Sequence, residues 1–193
     1  MNRPREYKKE DVLEAATGLF WAKGFEATSI SELVELTGLN KHSMYREFGD
    51  KEGLFLASLD HYAKESNKEL GEVLTRKPLG LSNLEAFFDN RVEYAASPGC
   101  KGCLLVNSVT EDEILSDKIN DKIQKMLTMH EGLFYDCLLA AKDKGEISKN
   151  KDCKVLASYL SCFLRGLINF GRSDTNKATL RKMTEVALMA IKN

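Results

Sequence analysis

Apolar residues recur along this chain at three- and four-residue steps, the spacing of a helix with one buried face. Val12, Leu13, Ala16, Leu19 and Phe20 mark a first amphipathic helix, and Ile30, Leu33, Val34 and Thr37 a second. A third runs from Lys41 to Glu47, with Met44 and Phe48 facing inward. The pattern then predicts a long helix from Lys51 to about Thr75, broken by Lys77-Pro78-Leu79-Gly80. Ser82 and Glu85 have the spacing of a capping box and open a helix to about Ala96, which Ser97-Pro98-Gly99 ends. Further helices are expected over Leu104 to Thr110, from Ser116 to Lys144, from Asp152 to Phe170 with a stop at Gly171, and from Asn176 to Ile191. The sum is an all-α chain of about nine helices. It divides into a three-helix head, 1–54, and a helical body, 55–193.

The head carries the most specific signal. Ser29 is an N-cap whose hydroxyl can accept an orphan N–H, and Glu32 completes the box. Gly38 follows the last turn, where a positive φ is wanted. Asn40 caps the next helix at once. Two short helices joined by a glycine turn are a helix-turn-helix, whose second helix enters the DNA major groove. Lys41, His42, Ser43 and Arg46 face outward, with Tyr45 at one edge. Arginine can bond two acceptors on a guanine edge, and Lys, His and Ser reach base edges or phosphates. Lys51 sits in the first turn of the following helix, where its charge opposes the dipole. Contact with a phosphate gives it a reason to be there.

Net charge is −1, which counts against a general, non-specific nucleic-acid coat. Positive charge is local instead, in an arm with Arg3, Arg5, Lys8 and Lys9 against Glu6, and in Lys41, Arg46 and Lys51. A hydrophobic content of 43% supports a real core. No apolar run reaches the ~18 to 20 residues of a membrane span. The charged N-terminus lacks an apolar signal region, and five cysteines in no framework spacing suit a reducing compartment. These features predict a cytoplasmic protein without membrane contact. His42, His61 and His130 show no metal spacing. A glycine-rich phosphate loop and a nucleophile–base pair are also missing, so no enzyme, cofactor or metal site is expected.

The last two helices are apolar over more than one face, beyond the single stripe a surface helix needs. Leu156, Tyr159, Leu160, Phe163 and Leu167, with Met183, Val186, Ala187 and Ile191, are the expected interface with a second copy. A symmetric pair also suits DNA, because two recognition helices read two half-sites of a palindromic or near-palindromic operator.

The run from Gly24-Phe25 through Thr28-Ser29, Leu33-Val34, Gly38-Leu39, Tyr45, Phe48 and Lys51-Glu52-x-Leu54 resembles the TetR family of transcriptional regulators. Gly102-Cys103-Leu104-Leu105 is similar to a segment in one subgroup of TetR-type C-terminal domains. The resemblance implies a repressor and adds Thr28, Ser29 and Asn40 to the DNA face. It also implies a small-molecule effector pocket in the body. Candidate lining residues are Phe88, Val92, Cys103, Asn107, Met126, His130, Phe134 and Phe163. The expected function is a homodimeric repressor released from its operator by an effector. One alternative is a thiol switch at Cys103 with Cys100: Lys101 and the start of a short helix favour thiolate there, while Cys137, Cys153 and Cys162 read as packing residues. Another is a helical interaction module that does not bind DNA.

Overall fold

The computed structural model describes residues 7–111, 113–173 and 176–192. Among them every regular element is a helix: α1 (Lys9–Lys23), α2 (Ile30–Thr37), α3 (Lys41–Phe48), α4 (Lys51–Leu74), α5 (Leu81–Ala95), α6 (Leu104–Val109), α7 (Asp117–Asp143), α8 (Cys153–Arg172) and α9 (Lys177–Lys192). No described helix is long and apolar enough to cross a membrane.

The described residues of Met1–Glu65 and Leu104–Ile123 pack as one compact unit, and those of Ser66–Cys103 and Gln124–Asn193 as a second. A head ending at residue 54 is therefore too short. Leu54, Phe55, Leu59 and Ala63 are all buried, so the first half of α4 completes the head core. Phe55 meets Phe20 edge-on at 4.8 Å and Phe25 at 5.0 Å. Helix α6 joins this unit too, packing on α1.

Ser58 lies in that core, wholly buried, and its hydroxyl has no hydrogen-bond partner. An unmatched buried hydroxyl destabilises, and alanine is the better helix former. Ser58→Ala is expected to stabilise the head by about 1 kcal/mol. A raised thermal midpoint at unchanged operator affinity is the expected reading.

In the second unit α5 packs on α8 and α9. Phe88 lies 5.8 Å from Phe134 and 5.6 Å from Phe163, and Phe87 meets Phe134 edge-on at 5.2 Å. Two local expectations are corrected here. The Ser82–Glu85 box does not form. Helix α5 starts two residues earlier, with Gly80 in place of Ser82 as its N-cap, because the Asn83 side chain accepts from Gly80 N–H (2.9 Å) and donates to the Val73 and Arg76 carbonyls. Glu85 instead pairs with Lys192 at 2.6 Å. Gly171 does not stop α8, which runs on to Arg172. Its role is close approach, since a Cβ there would overlap the Ala95 backbone.

Candidate nucleic-acid interface

The head builds its helix-turn-helix from contacts within four residues. Ser29 Oγ accepts from Glu32 N–H (3.2 Å), and the Glu32 carboxylate accepts from Ser29 N–H (2.9 Å). Lys23, then the Ser29 backbone and side chain, hold the Glu32 carboxyl down to about 2. Gly38 adopts φ 68° and ψ 5°, and its N–H donates to Val34 O at 3.0 Å. Asn40 Oδ1 accepts from Ser43 N–H at 2.8 Å and starts α3. Leu33, Leu39 and Met44 are buried and lock the two helices together.

With Met44 inward, Lys41, His42, Tyr45 and Arg46 are exposed, and Ser43 is half-buried. The Lys41 ammonium stands 5.7 Å from the centre of the Tyr45 ring. Lys51 comes to the same unit at the start of α4, which Asp50 caps through Gly53 N–H at 2.7 Å. Its Nζ donates to Glu26 O (3.2 Å) and lies 4.5 Å from the Phe25 ring centre. The hydroxyl of Ser29 and the amide oxygen of Asn40 are exposed but already engaged in capping. Thr28 is a correction. It is fully buried and its hydroxyl donates to Gly24 O at 2.6 Å, so it shapes the α1–α2 loop and cannot meet DNA. Of the basic arm, Arg3, Arg5 and Glu6 fall outside the described residues. Lys8 is exposed, and Lys9 pairs with Glu47 at 2.8 Å. The Lys9 pair holds the Glu47 carboxyl below its usual range.

Local pattern missed Glu111, whose carboxylate accepts from Phe25 N–H at 2.9 Å and from Glu26 N–H at 3.4 Å. It lies just beyond α6, far along the chain from its partners.

The expected partner face also needs correction. Leu160, Leu167, Ala187 and Ile191 are buried in the protomer's own core and cannot touch a second copy. Leu156, Phe163 and Met183 are half-buried, while Tyr159 and Val186 are exposed. The outward stripe of α8 is Val155, Tyr159, Cys162, Gly166 and Phe170, at helical steps, and α9 adds Val186 and Met189. Val155 and Val186 are 64% and 65% exposed, unusual for valine on a folded chain.

Of the predicted effector residues, all but Asn107 belong to the second unit. Phe88, Val92 and Phe134 are fully buried members of the core cluster. Phe163 and Cys103 pack against that cluster, and Met126 is half-buried. His130 is half-buried, and desolvation lowers its pKa. Asn107 belongs to the other unit.

All five cysteines are thiols. Cys137 is buried, donates to Leu74 O at 3.3 Å, and burial pushes its thiol up to about 11. Cys153 is buried too. Cys162, expected to be a packing residue, is exposed on the α8 stripe. Cys100 and Cys103 are half-buried and lie around the Tyr94 hydroxyl, which donates to Gly102 O at 2.8 Å. Burial first, then Cys100 and Cys103, push the Tyr94 pKa well up, and Arg91 opposes them. Gly99 (φ 75°) and Gly102 (φ 81°) let this loop turn tightly. No group of three or more His, Cys, Asp or Glu among the described residues is arranged to hold a metal ion.

Residues 12–58 match the family model described as bacterial regulatory proteins, tetR family. Residues 80–187 match that of the tetracyclin repressor-like C-terminal domain. The HTH-type transcriptional repressor ComR of Escherichia coli (strain K12) is 31% identical over 193 residues, covering 96% of this chain and 88% of its own. BdcR, a second HTH-type transcriptional repressor of that strain, is 33% identical over 108 residues, 55% of each chain. Among solved structures, a cysteine mutant of the TetR-family regulator CifR, complexed with 26bp double-strand operator DNA, superposes with a TM-score of 0.85. It is 26% identical and covers 97% of this chain and 99% of that one.

Proposed function

Because the chain belongs to the TetR family, it is a DNA-binding transcriptional repressor that acts as a homodimer and not an enzyme; we propose that it works in the cytoplasm and leaves a palindromic or near-palindromic operator when a small molecule binds its second unit. One observation carries the DNA side of this reading. A doubly capped eight-residue helix buries Met44 and turns Lys41, His42, Tyr45 and Arg46 outward together. In our assignment Lys41, His42 and Arg46 read base edges, while Tyr45 and Lys51 hold phosphates. The interface between copies is the outward stripe of α8 and α9. Release is a population shift, so the effector must bind the free dimer more tightly than the DNA-bound one. Met126, His130 and Phe163 are the partly buried groups of the second unit best suited to line its site.

Titration of substituted dimers on the operator and on scrambled duplexes tests the contact assignment. Tyr45→Phe and Lys51→Ala are expected to weaken binding to all duplexes alike, and Lys51→Ala to reduce the salt slope by roughly one per subunit. Arg46→Ala and His42→Ala are expected to relax preference at one base position per half-site, by about 1–3 kcal/mol. Equal losses from all four variants on every duplex would refute the assignment.

A second reading is favoured by the meeting of two thiols around Tyr94. In it Cys100 and Cys103 sense oxidants directly, and their oxidation takes the place of effector binding.

A further inference from the structure

The loop between α1 and α2 is held from two sides. Helix α1 closes with Gly24 N–H on Phe20 O, and α2 opens at the Ser29 cap. The N–H groups of Phe25 and Glu26 point to the Glu111 carboxylate, more than eighty residues along the chain. Hydrogen bonds to an ionised acceptor are roughly twice as strong as neutral ones. Gly24 is matched to this arrangement. It takes φ 84°, and a Cβ there would fall on the Glu111 carboxylate.

On the other side the same two residues receive Lys51. Glu26 O accepts from its ammonium at 3.2 Å, and the Phe25 ring lies 4.5 Å away. An ammonium has three donors, so one bond to Glu26 leaves others for a phosphate oxygen. The carbonyl that orients Lys51 belongs to the very residue whose N–H Glu111 holds.

We infer that Glu111 is a positioning residue for operator binding, setting the Lys51 ammonium at the DNA face through the backbone of Phe25 and Glu26. This rests on the reading of Lys51 as a phosphate contact. Glu111 itself touches no DNA. It lies two residues beyond the end of α6, so a shift of that helix reaches a DNA-contacting charge through one carboxylate.

A double-mutant cycle on the full-length dimer tests it. The probe is an operator duplex selected by the unsubstituted protein from a randomised pool, titrated at several salt concentrations. Lys51→Ala is expected to weaken binding roughly three- to tenfold and lower the salt slope. Glu111→Ala is expected to do the same to a smaller degree, with helical content and dimer mass unchanged. The double variant should equal Lys51→Ala alone, since the removed ammonium leaves nothing to position. Glu111→Gln keeps one acceptor oxygen and should fall between the unsubstituted protein and Glu111→Ala. An unchanged slope in Lys51→Ala overturns the phosphate reading and this inference with it. A normal Lys51→Ala effect with additive losses in the double variant, or with Glu111→Ala indistinguishable from the unsubstituted protein, overturns the role of Glu111 alone.

Discussion

Val155→Glu combined with Val186→Glu is expected to turn the dimer into a folded monomer and to cost at least roughly 100-fold in operator affinity. The two valines project from α8 and α9 and are 64% and 65% exposed in the protomer. Their replacement leaves the protomer core untouched, so helical content and thermal unfolding of the chain itself should persist. In a symmetric interface each substitution appears twice, and four carboxylates are brought together out of water. Charges buried without partners are strongly unfavourable. The DNA effect follows from valency. Once one head is bound, a linked second head binds its half-site from high effective concentration, which raises affinity by ~10² to 10⁴. A monomer keeps only the single-site affinity. Sedimentation equilibrium would read the mass, and anisotropy on whole and half operators would read the linkage. The variant should bind both duplexes alike. Leu160→Ala supplies the contrast: Leu160 is fully buried, so its truncation is expected to destabilise the protomer by ~2 to 5 kcal/mol. A dimer that survives both glutamates would place the interface elsewhere.

That contrast marks where the sequence was legible. Apolar content in α8 goes nearly all round the helix, and a hydrophobic pattern cannot say which side meets the protomer's own core. Leu160 and Leu167 turned inward because α5 and α9 pack there, while Val155 and Tyr159, equally apolar by type, were left outside. The helix-turn-helix was readable because its determinants are local. Ser29 with Glu32, Gly38, and Asn40 with Ser43 each act within four residues. Local signals also mislead when two compete. Ser82 and Glu85 have capping-box spacing, but Asn83 satisfies three backbone groups at once and sets the helix start. The family resemblance assigns Thr28 to the DNA face, yet the turn at Gly24 takes its hydroxyl. Glu111 was beyond local reading altogether. Its meaning comes from two N–H groups in a loop remote in sequence, and nothing nearby in the chain distinguishes it from a solvated glutamate.

The thiol reading makes the other large claim. Treatment with a hydroperoxide is expected to lower operator affinity at least roughly tenfold, with reductant restoring it. One thiolate of the Cys100–Cys103 pair attacks the peroxide oxygen and becomes a sulfenic acid, and the alkoxide leaves as the alcohol after taking a proton. The second thiol then attacks the sulfenic sulfur, the disulfide forms, and water departs. Two thiols and one hydroperoxide thus give one disulfide, one alcohol and one water. Intact mass should fall by two hydrogens, located by peptide mapping to residues 100 and 103. Cys100→Ser and Cys103→Ser should each keep full affinity in reductant and lose the reversible response. Cys137 should stay unmodified, because its thiol is buried, held near 11 and bonded to Leu74 O. A response that survives both serine variants would assign the sensing to a bound effector, and Cys103 to packing. On the thiol reading, the position of the pair offers the reaction a route to DNA. Leu104, the first residue of α6, follows Cys103 directly, and the far end of that helix leads to Glu111. On the thiol reading, closing the loop at its two glycine turns is expected to change the conformation from which α6 begins. The Glu111 carboxylate beyond its other end is then expected to lose the register with Phe25 and Glu26 that orients Lys51. Glu111→Ala should therefore blunt the affinity change on oxidation while leaving disulfide formation intact, a result that mass and anisotropy on the same sample can separate.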